Sequence, residues 1–200
     1  MANHFFATIA RMKYIERWAL MRSARSENLS EHASEVAMIA HALCTIGNTR
    51  YGKNLSAERA ACIGLYHDAS EIITGDMPTP VKYFNRDIKS AYKAVEKTAE
   101  AKLLSQLPSD LKPVYADLFG VHQSSDENEN YIRGLVKAAD KISALIKCIE
   151  EKYAGNVEFA KAEESTLEAV KELTADYPEV SDFMEEFLPS YGMTLDELLS

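Results

Sequence analysis

Residues 63–80 read IGLYHDASEIITGDMPTP. The first residues carry helical spacing: Ala60, Ile63 and Gly64 share a stripe, and His67 and Glu71 extend it by successive turns. A helix that buries this stripe would bury a histidine and a carboxylate with it. Asp68 projects about 100° from His67, so the two side chains reach a common ion only at the helix edge. Each would carry a desolvation cost if unpaired. Gly75, Pro78 and Pro80 then stop the helix and begin a loop.

Working outward, the same period recurs. It predicts helices over 5–21, 28–46, 56–73, 85–106, 110–119, 130–153, 157–176 and 179–188, and a short one after Thr194. Gly47-Asn48 is expected to end the second helix, Pro108 the fourth, and Gly155-Asn156 to part the sixth from the seventh. Asn28 or Ser30 caps the second, with Glu31 in its first turn. The longest non-helical piece is 74–85. Strand signals are scarce, and the expected fold is an all-α, compact multi-helix bundle. With 200 residues the chain reads as a single domain over 1–200. Its C-terminal helices, 157–188, carry Phe159, Leu167, Val170, Leu173, Phe183 and Phe187 at helical spacing. They either pack on the core or form a dimer interface.

Composition excludes several classes. Cys44, Cys62 and Cys148 stand far apart in apolar helical contexts, which reads as reduced packing residues. Arg11 and Lys13 interrupt any signal-like apolar core, and no apolar run is long enough to span a membrane, so a cytoplasmic setting is expected. The net charge of −9 disfavours a nucleic acid polymer as partner, because such binding rests on phosphate neutralisation. Residues 1–60 nevertheless hold eight Lys/Arg against five Asp/Glu, leaving room for a small anion there.

Two further helices carry polar residues that bear on His67 and Asp68. On the second, the stripe of Val36, Ile39 and Leu43 extends back to His32, whereas His41 points about 180° away, to the surface. On the sixth, the stripe of Ile132, Leu135, Ala139, Ile142, Ile146 and Ile149 leaves Asp140 off-centre beside small residues. Taken alone, Asp140 is a surface partner for Lys137 or Lys141. Taken together, His32, His67, Asp68 and Asp140 form a mixed N/O set for one divalent transition metal, with two octahedral positions left for water or a phosphate oxygen.

The order H…HD…D resembles the HD-domain metal-dependent phosphohydrolases. ERWALMRSARSENLSEHASEVAMIAHAL (16–43), YHDASEIITGDMPTPVKYFN (66–85) and VKAADKISALIKCIEE (136–151) are similar to the bacterial YfbR-type 5′-deoxynucleotidases. The resemblance runs from about residue 5 to 190. It implies an all-α HD-domain bundle, commonly a homodimer. The implied activity removes phosphate from deoxyribonucleoside 5′-monophosphates with one divalent metal such as cobalt, manganese or copper. By position it makes His32, His67, Asp68 and Asp140 ligands and Glu71 the catalytic carboxylate. Arg17 and Trp18 would face the substrate, and Asp76 the sugar.

The residue types suit these roles. Arg17 offers a planar fork for phosphate oxygens. Trp18, the only tryptophan, borders a basic cluster of Arg17, Arg22 and Arg25, and its indole could exclude a 2′-hydroxyl. Asp76 could accept from a 3′-hydroxyl, or simply be a turn residue after Gly75. A (p)ppGpp pyrophosphohydrolase is the alternative, but HDxxED lacks its second acid here, where Ile72 follows Glu71. Two-metal HD phosphodiesterases need extra histidines between the HD pair and the last Asp. Only His122 lies there, read as a loop residue. A non-catalytic nucleotide or metal sensor would have no need to keep Glu71.

Overall fold

The computed structural model describes residues 3–82, 84–121 and 125–200; His122 lies outside the described residues. The regular elements among the described residues are helices, and the sole β feature among those residues is an isolated antiparallel bridge between Glu16 and Asn28. In order, the helices are α1 (Phe5–Ile9, continued by a 3-10 turn over Ala10–Tyr14), α2 (Leu29–Arg50), α3 (Ala57–Tyr66), α4 (Glu71–Thr74), α5 (Thr79–Lys82) and α6 (Arg86–Leu104). There follow α7 (Lys112–Leu118), α8 (Glu127–Tyr153), α9 (Ala160–Leu173), α10 (Pro178–Glu186) and α11 (Leu195–Leu198). The all-α expectation holds.

The chain divides into two compact units. The first holds the described parts of 1–20, 26–33 and 65–124. Its core has two clusters. Phe5 packs with Ala69, Leu103 and Leu107, while Met12 packs with Leu29 and Ala33 and is joined by Ile9, Ile15 and Ile72. The predicted helix over 5–21 stops at Tyr14. Ile15 turns extended and packs into the Met12 cluster, and its carbonyl accepts from the Leu29 N–H at 3.0 Å. Residues 15–17 are thereby bound beside 27–29, so a helix there gives way to a bracket.

The predicted helix over 56–73 also divides, into α3 and α4. Between them, 67–70 run as a tight turn in which Ala69 N donates to Tyr66 O at 3.0 Å and Glu71 N to Asp68 O at 2.9 Å. Buried Ala69 pins that turn to the Phe5 cluster. The expected loop over 74–85 contains the short helix α5.

The second unit holds the described parts of 21–25, 34–64 and 125–200. Here α8 is the central helix, with Ile132, Leu135, Ala139, Ile142 and Ile146 buried as the stripe predicts. The C-terminal helices pack in this unit, α9 against α8 and α10 against α9, with Phe159, Val170 and Phe183 buried. Helix α2 runs past the expected stop at Gly47-Asn48, to Arg50. Gly47 serves space rather than chain reversal: a Cβ there would fall 2.6 Å from Glu179 Oε1. Asn48 instead braces the next loop, donating to Leu55 O at 2.8 Å and accepting from Leu55 N at 2.7 Å.

Gly64 lets α3 approach α2: an added Cβ would meet Ala37 Cα at 2.8 Å and Ala37 N at 3.0 Å. Both are backbone atoms, so relief requires moving a helix. Gly64→Ala is therefore expected to lower stability by about 1–3 kcal/mol, outweighing the roughly 1 kcal/mol that alanine gains in helix propensity. Urea unfolding measures this as a lower midpoint at unchanged slope; an equal or higher midpoint would show that the helices part freely.

Candidate functional site

His32 is placed by the start of α2. Asn28 Oδ1 accepts from Ser30 N at 3.0 Å and Glu31 N at 3.1 Å, while Glu31 Oε2 accepts from Asn28 N at 3.2 Å. Of the two expected caps, Asn28 or Ser30, the structure uses Asn28, and the return bond from Asn28 N to Glu31 makes the capping reciprocal and fixes the first turn. His32 lies one turn later, completely buried, and His41 is exposed.

The turn after α3 brings His67 and Asp68 to it. His67 Nε2 lies 3.1 Å and His32 Nε2 3.6 Å from Asp68 Oδ2, and the two imidazole rings are 5.2 Å apart. One ligand atom from each of His32, His67 and Asp68 falls within 4.8 Å of the others. The chain leaves α-helical geometry at 67–70, so His67 and Asp68, which a regular helix would point about 100° apart, converge. Two imidazoles and a carboxylate suit a divalent transition metal. Their 3.1 and 3.6 Å separations fall inside the roughly 4 Å between opposite ligands of one ion. The three are all in the first unit. Asp140, the fourth expected ligand, stands on α8 in the second, half-buried, with Oδ2 3.6 Å from Lys141 Nζ.

Glu71 opens α4 and is 5% exposed. Its Oε2 is buried without a hydrogen-bond partner among the described residues. Burial pushes its carboxyl up to about 9, and the charges of Asp68 and Asp76 add to that, against opposing pulls from Lys82 and Arg17. Without a metal ion, a carboxyl raised this far by burial favours its protonated form at neutral pH. An acid whose folded pKa exceeds its unfolded value lends stability at low pH that is lost as pH rises through the folded value. Chelator-treated protein is expected to lose stability between about pH 4.5 and pH 9, and Glu71→Gln to flatten that slope. Thermal melts across this window check it; an identical slope in the variant would assign the titration elsewhere.

Arg17 and Trp18 sit on the bracket before α2, where Arg17 N donates to Glu27 O at 2.9 Å. Arg17 Nε donates to Glu27 Oε2 at 2.9 Å and its Nη1 lies 3.6 Å from Asp68 Oδ2, so the guanidinium borders the His-His-Asp cluster. Trp18 has φ of 59°, left-handed backbone that costs a residue with a Cβ about 1–2 kcal/mol. Contacts hold it there. The Trp18 N–H donates to Asp76 Oδ2 at 3.3 Å, and Nε1 donates to Glu27 Oε2 at 3.0 Å.

Asp76 reaches Trp18 because Gly75, with φ 75° and ψ 160°, closes α4 in a conformation essentially restricted to glycine. Burial raises the Asp76 carboxyl, while Arg17 and the Trp18 N–H pull it down. The sequence reading singled out Arg17, Trp18 and Asp76, and the structure gathers them. It missed Glu27, which shares no helix turn with Trp18 and meets it only through the Glu16–Asn28 pairing.

The profile of the 5′-deoxynucleotidase YfbR-like family matches residues 4–191. The 5′-deoxynucleotidase YfbR of Escherichia coli strain ATCC 8739 is 50% identical over 199 residues, spanning 98% of this chain and 96% of the relative. The crystal structure of an HD-domain phosphohydrolase from Listeria innocua superposes with a TM-score of 0.80 at 23% identity, over 96% of this chain and 90% of that one. A cyanophage S-2L HD phosphohydrolase bound to dA and one catalytic Zn2+ ion superposes with a TM-score of 0.65 at 21% identity, over 94% and 96%. At those identities the structural likeness speaks for the fold alone.

Proposed function

The chain belongs to the YfbR-like 5′-deoxynucleotidase family, and we propose on that footing how its residues divide the hydrolysis of a deoxyribonucleoside 5′-monophosphate to deoxyribonucleoside and phosphate. The observation that carries the reading is the convergence of His32, His67 and Asp68 beside buried Glu71. These three, with Asp140, would hold one divalent ion; its identity, of cobalt, manganese, copper or zinc type, is left to the donor set and to availability. Bound there, such an ion supplies Lewis acidity and water of lowered pKa.

Everything else falls to side chains. Glu71 donates its proton to the departing 5′-oxygen, a role suited to a carboxyl that burial keeps protonated. Arg17 presents its guanidinium to the phosphate oxygens, where charge-assisted bonds strengthen as charge shifts. Asp76 accepts from the 3′-hydroxyl. The Trp18 indole stands where a 2′-hydroxyl would project. The family's dimeric state and a cytoplasmic setting belong to the same proposal. Among the described residues, no helix is long and apolar enough to cross a membrane.

The test is phosphate release from dAMP, dGMP, dCMP and dTMP and their ribose counterparts, with each of several divalent metals. Release from deoxyribonucleotides dependent on metal supports the reading. Tight nucleotide binding with no release under any metal overturns it in favour of a sensor.

Trp18→Ala should admit ribonucleotides. The expected result is a fall of about tenfold or more in the ratio of kcat/KM for dAMP over AMP, the scale of excluding one small group from a pocket. An unchanged ratio discards the steric role.

A further inference from the structure

One carboxylate oxygen serves both substrate-facing side chains. Glu27 Oε2 accepts from Arg17 Nε at 2.9 Å and from Trp18 Nε1 at 3.0 Å. The Glu27 side chain is 13% exposed and that of Arg17 10%, so both are largely shielded from water. The Glu27 carbonyl also accepts from the Arg17 N–H at 2.9 Å, which locks the backbone that carries the acceptor. Neither partner is positioned by its own backbone alone. Trp18 sits in a left-handed conformation, and such backbone persists only where contacts over-determine it. An indole has two rotatable side-chain bonds, and a bond at Nε1 fixes the ring plane. A guanidinium held at Nε keeps Nη1 and Nη2 directed onward as a fork.

We propose that Glu27 is a positioning residue that sets the sugar selectivity and the phosphate grip together. Its Oε2 holds the Trp18 indole against the ribose position and holds the Arg17 fork toward the phosphate. The two recognition elements are thus coupled through one oxygen. Glu27 touches no reacting atom. The inference rests on the roles given above to Arg17 and Trp18.

The chemistry separates the two functions. Glutamine at this position keeps a carbonyl acceptor for Trp18 Nε1 but carries no charge for Arg17. Alanine provides neither.

The experiment measures kcat and KM for dAMP and AMP in the full-length, metal-loaded protein, for wild type, Glu27→Ala, Glu27→Gln and Trp18→Ala, with metal content measured on each. Glu27→Ala is expected to raise KM for dAMP and to lower the dAMP over AMP ratio, each by about tenfold, the scale of a lost hydrogen bond to a charged group. Glu27→Gln is expected to restore the ratio while KM stays raised. A Glu27→Ala protein that melts lower but keeps the wild-type ratio would show a merely structural role and overturn the proposal. If the alanine variant does not fold, Glu27→Gln decides: a wild-type KM for dAMP overturns the coupling. Trp18→Ala separates the layers. If it lowers the ratio and the Glu27 variants do not, this inference alone fails. If it leaves the ratio unchanged, the sugar role of Trp18 fails and this inference with it.

Discussion

Glu71→Ala is expected to lower kcat for dAMP by about 100-fold to 10,000-fold, the range that a positioned proton-transfer group supplies. Metal content and nucleotide affinity should stay close to wild type, because the gathered ligand atoms come from His32, His67 and Asp68. The argument rests on burial. Glu71 is 5% exposed at the start of α4, and its Oε2 lacks a hydrogen-bond partner among the described residues. A carboxyl kept so dry next to Asp68 and Asp76 is pushed up to about 9 and resists ionisation. Such a group is costly for stability and suited to donating a proton at neutral pH. Steady-state kinetics with metal analysis separate this from a structural loss. A near-normal kcat removes Glu71 from the mechanism.

Asp68→Ala should act earlier, on the metal itself. Asp68 Oδ2 is the point where the cluster meets: His67 Nε2 lies 3.1 Å away, and His32 Nε2 and Arg17 Nη1 each 3.6 Å. Removing it leaves two imidazoles with no anionic ligand in the first unit and releases Arg17 from one of its carboxylates. Metal affinity is expected to fall by more than about 100-fold, beyond the 10–100-fold typical of losing an outer-shell partner, and turnover to become undetectable. Elemental analysis after dialysis reads the first effect. Retention of one ion per chain would refute the assignment of Asp68 as a ligand.

Much of this was legible in the residue order. His32 was found because an apolar stripe on α2 could be extended back one turn, and Asn28, one of two candidate caps, marked where that helix begins. The limits came where tertiary demands overrode local period. Gly47 reads as a helix stop, yet it lies inside α2 because Glu179 occupies the space of a side chain. The period across 56–73 reads as one helix, yet the chain tightens at 67–70, where Ala69 is anchored in the Phe5 cluster. A regular helix would splay His67 from Asp68, whereas this turn brings His67 Nε2 to 3.1 Å from Asp68 Oδ2. The period over 5–21 likewise ends early, because Ile15 is drawn into the core and pulls the following residues into the bracket. Glu27 was invisible for the same reason. Its meeting with Trp18, nine residues earlier, depends on that bracket.

The resemblance of 16–43, 66–85 and 136–151 to a known family supplied what spacing could not: the substrate class, and the expected roles of Glu71, Arg17, Trp18 and Asp76. The family profile over 4–191 and the 50% identity to the Escherichia coli protein bear out the membership. Asp140→Asn, assayed for metal content, addresses the fourth expected ligand directly, with a loss of metal expected.

The central claim is that a metal held by His32, His67 and Asp68 enables release of phosphate from a deoxyribonucleoside monophosphate. Its most direct measurement is phosphate release from dAMP by chelator-stripped protein as a divalent metal is titrated back. The account predicts no release from stripped protein and activity that rises to a plateau at one ion per chain, with AMP turned over poorly at the same point. Full activity in the stripped protein, or none at any metal concentration, would contradict it.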